Sequence, residues 1–188
     1  MKRFALLCLC LLAAAPAWPQ GQNMPEMGAP KQMDVLRPLA GEWNLALKYR
    51  GTPEMPWQET KATETSTLVL DGACLMSETR GDMMGTLMKG LGMMSYNRNT
   101  KMWQGTWIDN LSGSISYMEG SMKSGNLVFE GEDTMAGQTF KTRATYSNLS
   151  SSSYDFSMEM SMDGGKTWVE MMSGKYTRAQ ASKDDGGW

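Results

Sequence analysis

Residues Tyr154–Met162 read YDFSMEMSM, and their alternation decides the fold. Successive residues of a strand point to opposite faces. An extended chain therefore places Tyr154, Phe156, Met158, Met160 and Met162 on one side and Asp155, Ser157, Glu159, Ser161 and Asp163 on the other. One side is apolar and one polar, as expected of a strand buried on a single face. A second stretch repeats the period: Trp103 and Trp107 share a face with Gly105 between them, and Lys101 and Asp109 mark the ends. A helix would turn these two tryptophans onto different faces, so the extended reading is the consistent one.

From Gly41 onward, segments of five to ten residues with strand character are separated by turn signals at Asp71-Gly72, Asn97–Lys101, Lys123–Asn126 and Asp163-Gly164-Gly165. This spacing predicts an all-β domain, an antiparallel meander closed into a barrel or folded as a sandwich. Ahead of it, Met33, Leu36 and Leu39 carry helical spacing and Pro38 stops the run, which predicts a short N-terminal helix. The stretch 18–32, rich in Pro, Gly, Gln and Met, is expected to be a flexible lead-in, residues 33–178 the domain, and 179–188 a disordered tail.

Residues 1–17 have the form of a cleavable signal peptide. Lys2 and Arg3 precede an apolar run from Phe4 to Ala15, and Ala15-Pro16-Ala17 offers small residues for cleavage after Ala17. The run is shorter than the roughly 20 residues that span a bilayer as a helix, and no later segment replaces it. The expectation is a periplasmic or secreted protein without a transmembrane anchor. Cys8 and Cys10 lie inside the apolar run behind Leu7 and Leu9, where lipid attachment would call for a small residue. Cleavage leaves 171 of the 188 residues, enough for one domain. It leaves 16 Lys and Arg against 20 Asp and Glu. With no basic patch, nucleic acid and anionic membranes are poor partners. Cys74 is then alone, so no internal disulfide is possible, and a small buried hydrophobe is its simplest role.

Methionine is the compositional outlier, with 19 left in the mature chain against 18 for Leu, Ile and Val together. Three readings compete. Thioether sulfurs select Cu(I), and Met24, Met27, the pairs Met83-Met84 and Met93-Met94, and the ladder Met158, Met160, Met162 could bring several together. Methionine also fills cores in place of leucine, and the ladder alternates in phase with aromatics as a core face would. Between these lies an adaptable apolar cavity lined by flexible side chains.

Catalysis has little to stand on. The chain contains no histidine, which removes Ser-His-acid and Cys-His nucleophiles, the usual zinc sites and a His-ligated haem. Asp155 and Glu159 fall on the polar side of their strand. Gly85, Gly90 and Gly92 sit in a strand-like segment with no following helix, so they make no phosphate loop. No catalytic residue, metal ligand or cofactor is assigned.

Residues 161–168, SMDGGKTW, resemble the Asp-box hairpin of sialidases. Physically, Asp163 can accept turn amides, Gly165 can take positive φ and Trp168 can pack beneath, which makes a folding device. Gly41-Glu42-Trp43 resembles the Gly-x-Trp opening of the calycin, lipocalin-like barrels. That resemblance implies that Trp43 plugs the closed end and that Arg178, in GKYTR, stacks on it.

A wider pattern is more specific. LAGEWNL (39–45), TLVLDGACLMSETRGDMMG (67–85), YNRNTKMWQGTWID (96–109), DGGKTW (163–168) and YTR (176–178) together resemble a bacterial family known only as domain of unknown function fifteen-seventy-nine. The resemblance spans about residues 33–178. It implies a single antiparallel up-and-down calycin-like barrel and brings no activity or catalytic residue. Where members carry a histidine three residues before the first leucine, Met33 stands before Leu36 here.

The leading functional expectation is a non-catalytic barrel that binds a small apolar or amphipathic ligand, since a barrel of eight strands is about wide enough to fill itself or to hold one small ligand. Tyr154, Phe156, Met158 and Met160, with Trp103 and Trp107, are its candidate lining. A Met-based Cu(I) carrier and an interaction module presenting the Met-rich loop Gly81 to Gly92 are the alternatives. An acid-base enzyme ranks behind them.

Overall fold

A computed structural model describes residues 27–135 and 137–180. The expected signal peptide, residues 18–26 of the lead-in and residues 181–188 of the tail lie outside the described residues. Ten strands succeed one another: β1 (Gly41–Tyr49), β2 (Gln58–Val69), β3 (Cys74–Met83), β4 (Thr86–Asn97), β5 (Met102–Asp109), β6 (Ser116–Lys123), β7 (Asn126–Met135), β8 (Gln138–Ser147), β9 (Ser153–Ser161) and β10 (Val169–Arg178). Each pairs antiparallel with the next, and β10 pairs with β1, closing an up-and-down barrel. The wall has two strands more than the eight at which a barrel just fills itself or holds one small ligand. Because barrel diameter grows with strand number, the interior is correspondingly wider.

The turn signals fall at strand junctions. Lys101 and Ser124 take positive φ there, 58° and 50°, which short connections between antiparallel strands require. The segment Gly81–Gly92, expected as a Met-rich loop, is instead a tight hairpin of β3 and β4 turning at Met84-Gly85.

The expected N-terminal helix is not α-helical. It consists of two 3₁₀ turns, Lys31–Val35 and Arg37–Leu39. Pro38 has no N–H to donate one turn back, so the chain closes with shorter bonds, Leu36 N to Met33 O at 2.9 Å and Leu39 N to Leu36 O at 2.9 Å. These turns still bury Met33, Leu36 and Leu39. Together with Trp43, Leu45, Trp103, Leu127, Phe129 and Tyr154 they form one continuous core that plugs this end of the barrel.

At the plug, Trp43 donates its indole N–H to Leu39 O at 2.8 Å. The Arg178 guanidinium lies 3.9 Å over the Trp43 ring and donates to the carbonyls of Ala40, Pro38 and Ser151. In β9 the alternation of the YDFSMEMSM stretch breaks at its end. Ser161, read from the sequence as outward, is buried, and Met162 is exposed. The cause is the following turn: Ser161 stays in the outward register opposite Lys141, and its hydroxyl donates to Asp163 and accepts the Gly165 amide, both at 2.8 Å, so the turn covers it.

Candidate functional site

The plugged end and the opposite end of the barrel differ in how tightly their inward side chains are packed. At the plug Trp43, Leu45, Trp103, Leu127, Phe129 and Tyr154 are buried, with Met94 and Tyr96 partly so. Toward the other end Trp107, Met118, Phe140, Phe156, Met158, Met160 and Met172 occupy inward positions yet stay half-buried. Met118 and Phe156 pack against the core, and Leu47, Tyr49, Met88 and Thr142, also inward in this half, are buried, so the incompletely covered part of the wall is the one around Trp107, Met158, Met160 and Met172. Deeper in, Tyr146 is half-buried and packed against the core, and burial and the nearby Glu64 push its phenol well above the usual range.

Glycines at inward positions let large neighbours lie flat against the wall. A Cβ on Gly90 would fall inside the Trp107 ring, and one on Gly92 would touch it at 3.4 Å. Phe129 lies the same way over Gly105 and Gly120. Trp107 is further held by its indole N–H, which donates to Asp109 Oδ2 at 2.9 Å.

The candidate lining divides in two. Tyr154 stacks on Tyr176 at 4.3 Å and meets Trp43 edge-on at 4.8 Å. Phe156 lies 5.2 Å from Tyr146 and 6.3 Å from Tyr176. Met158 and Met160 continue the same column toward the open end, opposite Ala144 and Thr142 of β8. Trp103 and Trp107 belong to β5. Trp103 is buried in the plug against Tyr96, 5.4 Å away, and Trp107 borders the open half.

A polar cluster inside the barrel was not anticipated from the sequence. Glu64 is buried, at 8 % exposure. It accepts hydrogen bonds from Ser66 Oγ at 2.9 Å, Thr79 Oγ1 at 2.9 Å and the Tyr154 hydroxyl at 3.4 Å, and Ser66 and Ser77 share a bond of 2.7 Å. Desolvation raises the Glu64 carboxyl above its usual range against the pull of these hydroxyls. Burial, and then the Glu64 charge, pushes Tyr154 and Tyr176 up as well. In β2 the residues 58–67, QETKATETST, are polar in both phases, so alternation gives no hint which side faces in. The apolar Ala62 and Leu68, in phase with Glu64, are the available signals.

Thr142, inward on β8 between Gly131 and Met160, is buried and its Oγ1 has no hydrogen-bond partner. Each of the five connections at the open end carries or adjoins an exposed apolar residue: Met55, Met84, Ile115 and Met162 within them, and Met135 at the end of β7. Shallow depressions of about 510 and 610 Å³ adjoin Ala46. They lie on the outer face, among exposed Asn44, Lys48 and Lys61. Cys74 is buried and unpaired, and burial raises its thiol. Among the described residues no three His, Cys, Asp or Glu side chains are grouped to hold a metal, and no helix is long and apolar enough to cross a membrane.

In the Asp-box turn, Asp163 Oδ1 accepts from Lys166 N at 3.0 Å and Thr167 N at 2.9 Å. Gly165 has φ 97°, and Trp168 donates to the Gly165 carbonyl at 3.0 Å. On its other side Trp168 receives the Arg143 guanidinium at 3.7 Å.

A family model described as "Protein of unknown function (DUF1579)" matches residues 29–178. The chain belongs to that family. Among solved structures, this DUF1579 barrel is similar to Rv2717c from M. tuberculosis, with a TM-score of 0.56 at 12% identity, covering 81% of this chain and 99% of that one. It is also similar to the S-type phycobiliprotein lyase CPES from Guillardia theta, with a TM-score of 0.55 at 11% identity over 79% of this chain and 92% of that one. At such identity the likeness is one of fold, a lipocalin-like barrel. No protein of curated function matches the chain.

Proposed function

We propose that this DUF1579 barrel is an exported protein that takes a small amphipathic molecule through its open end. The observation that carries the reading is a run of half-buried inward side chains in the open half, Trp107, Met158, Met160 and Met172, set against the buried Trp43, Leu45, Trp103, Leu127, Phe129 and Tyr154 of the plug. Methionine lets such a lining adapt, because its unbranched thioether repacks around differently shaped apolar groups at small cost. The apolar residues at the five rim connections favour passage of an apolar body, and the polar groups around Glu64 give an amphipathic one a polar end to meet. The phycobiliprotein lyase of similar fold offers a precedent for chemistry on a lipocalin-like barrel, and the absence of histidine here favours binding over catalysis.

The test is a titration with Nile red, a neutral apolar fluorophore. Saturable enhancement is expected, to be abolished in Met158→Trp, which fills the open half, while the melting temperature is kept. A folded wild-type protein that gives no saturable signal overturns the reading. Export is tested separately: N-terminal sequencing of protein from its own host is expected to begin at Trp18.

A further inference from the structure

We propose that the molecule held by this barrel carries a cationic head, an organic ammonium, seated against Glu64 and the tyrosines around it. This rests on the ligand-binding reading above and adds the chemical class of the ligand.

The inward positions carry three carboxyls: Glu64 deep inside, with Asp109 and Asp133 toward the open end. Among the described residues the one basic side chain at an inward register position is Arg178, and its guanidinium is committed to the plug, on Trp43 and three backbone carbonyls. The ion pairs, Arg143 with Glu130 and Glu159 for example, involve outward residues, and none includes Glu64. A buried carboxyl ordinarily has a cationic partner, because desolvated charge is costly without one. Glu64 has only hydroxyl neighbours.

The rest of the lining points the same way. Tyr154 reaches the carboxyl through its hydroxyl, Tyr176 stacks on Tyr154 at 4.3 Å and Tyr146 lies 6.3 Å from it, and a cation is attracted to aromatic rings. The polar atoms offered by Ser66, Ser77, Thr79, Thr142 and the tyrosines are all hydroxyl oxygens, able to accept the N–H groups of an ammonium, which donates only. Thr142 is the independent sign of a ligand. It is 7% exposed, points into the same interior and has no partner of its own, which buried polar atoms rarely lack. An anionic head would meet three carboxyls and no available cation.

The experiment compares three probes with the same tail on the whole mature protein: decylammonium, decanol and decyl sulfate, each below its micelle concentration, measured by displacement of Nile red near neutral pH. About 150 mM salt is used, so that screening beyond about 8 Å suppresses general attraction to an acidic protein. Decylammonium is expected to bind at least ~10-fold more tightly than decanol, with decyl sulfate weakest. Glu64→Gln is expected to erase that preference, and Glu132→Gln, on the outer face, to keep it. If decanol or decyl sulfate binds as tightly as the cation, or if folded Glu64→Gln keeps the preference, the cationic head is ruled out and the barrel reading stands. If none of the three displaces Nile red and Nile red itself does not bind, the ligand-binding reading fails with it. The wild-type comparison decides even if Glu64→Gln does not fold.

Discussion

The Arg178 guanidinium occupies the space in which a Cβ on Gly41 would stand, and Gly41 has φ 130°. Glycine is thus fixed at the head of β1 twice, by backbone conformation and by the side chain arriving from the last strand. Gly41→Ala is expected to destabilise the protein by about 2 kcal/mol or more, measured by denaturant unfolding. In a double mutant with Arg178→Ala the loss should be less than additive, because one obstacle has gone. Full additivity would show that the two residues do not share that space.

The Asp-box turn should respond to acid. Turn amides and the Ser161 and Thr167 hydroxyls hold the Asp163 carboxyl at about 2, below its unfolded value of about 3.9. A lowered folded value contributes stability above the unfolded one, lost as pH falls from about 4 through about 2. Amide exchange at Gly165 and Thr167 is expected to quicken across that window in the wild type and to stay flat in Asp163→Asn.

Glu64 should act with the opposite sign. Ser66 of β2, Ser77 and Thr79 of β3, Tyr146 of β8, Tyr154 of β9 and Tyr176 of β10 surround or influence it, and none is a cation or a second carboxyl. Its folded value is raised. Its contribution is therefore full below the unfolded value of about 4.3 and declines as pH rises through the folded one. In the ligand-free protein, Glu64→Gln should gain stability relative to wild type as pH is raised from 4 to 8. A difference that does not change with pH would contradict the burial argument.

Gly90 is the seat of Trp107. Gly90→Ala forces the ring from the wall and is expected to cost about 1–3 kcal/mol, with an altered near-ultraviolet circular dichroism band. It should also weaken Nile red binding, since the displaced indole enters the open half.

Thr142 predicts a trade between stability and binding. Thr142→Val keeps the shape and removes the orphaned hydroxyl, so the ligand-free protein should gain about 1 kcal/mol in denaturant unfolding. Decylammonium should bind it more weakly. A loss of stability would mean that the hydroxyl has a partner.

The sequence reveals those strands whose two faces differ in polarity. In β9, aromatics and methionines alternate with Asp, Ser and Glu, so its inward side can be read directly, as can the tryptophan face of β5. β2 has no such contrast. Which of its faces turns in is decided by the register with the neighbouring strands, Ala62 opposite Leu45 and Gly81, which the polarity of β2 does not announce, and the Glu64 cluster stays hidden for that reason. Gly90 and Gly92 read in isolation as conformational punctuation, and their use as a bed for Trp107 becomes visible only when β5 is laid beside β4. The strand count was illegible for a related reason, because closure depends on where the last strand meets the first.

That meeting has a consequence for how the chain folds. Nine of the ten ladders join strands consecutive in sequence, and each can form as a local hairpin. The tenth, β1 with β10, brings Trp43 opposite Arg178 across almost the whole domain. Closing so long a loop is entropically costly and becomes favourable only when the hairpins between are in place. The seam is therefore expected to close last, with the stacked Trp43 and Arg178 as its latch. A chain lacking its final strand would remain an open, curled sheet with two sticky edges.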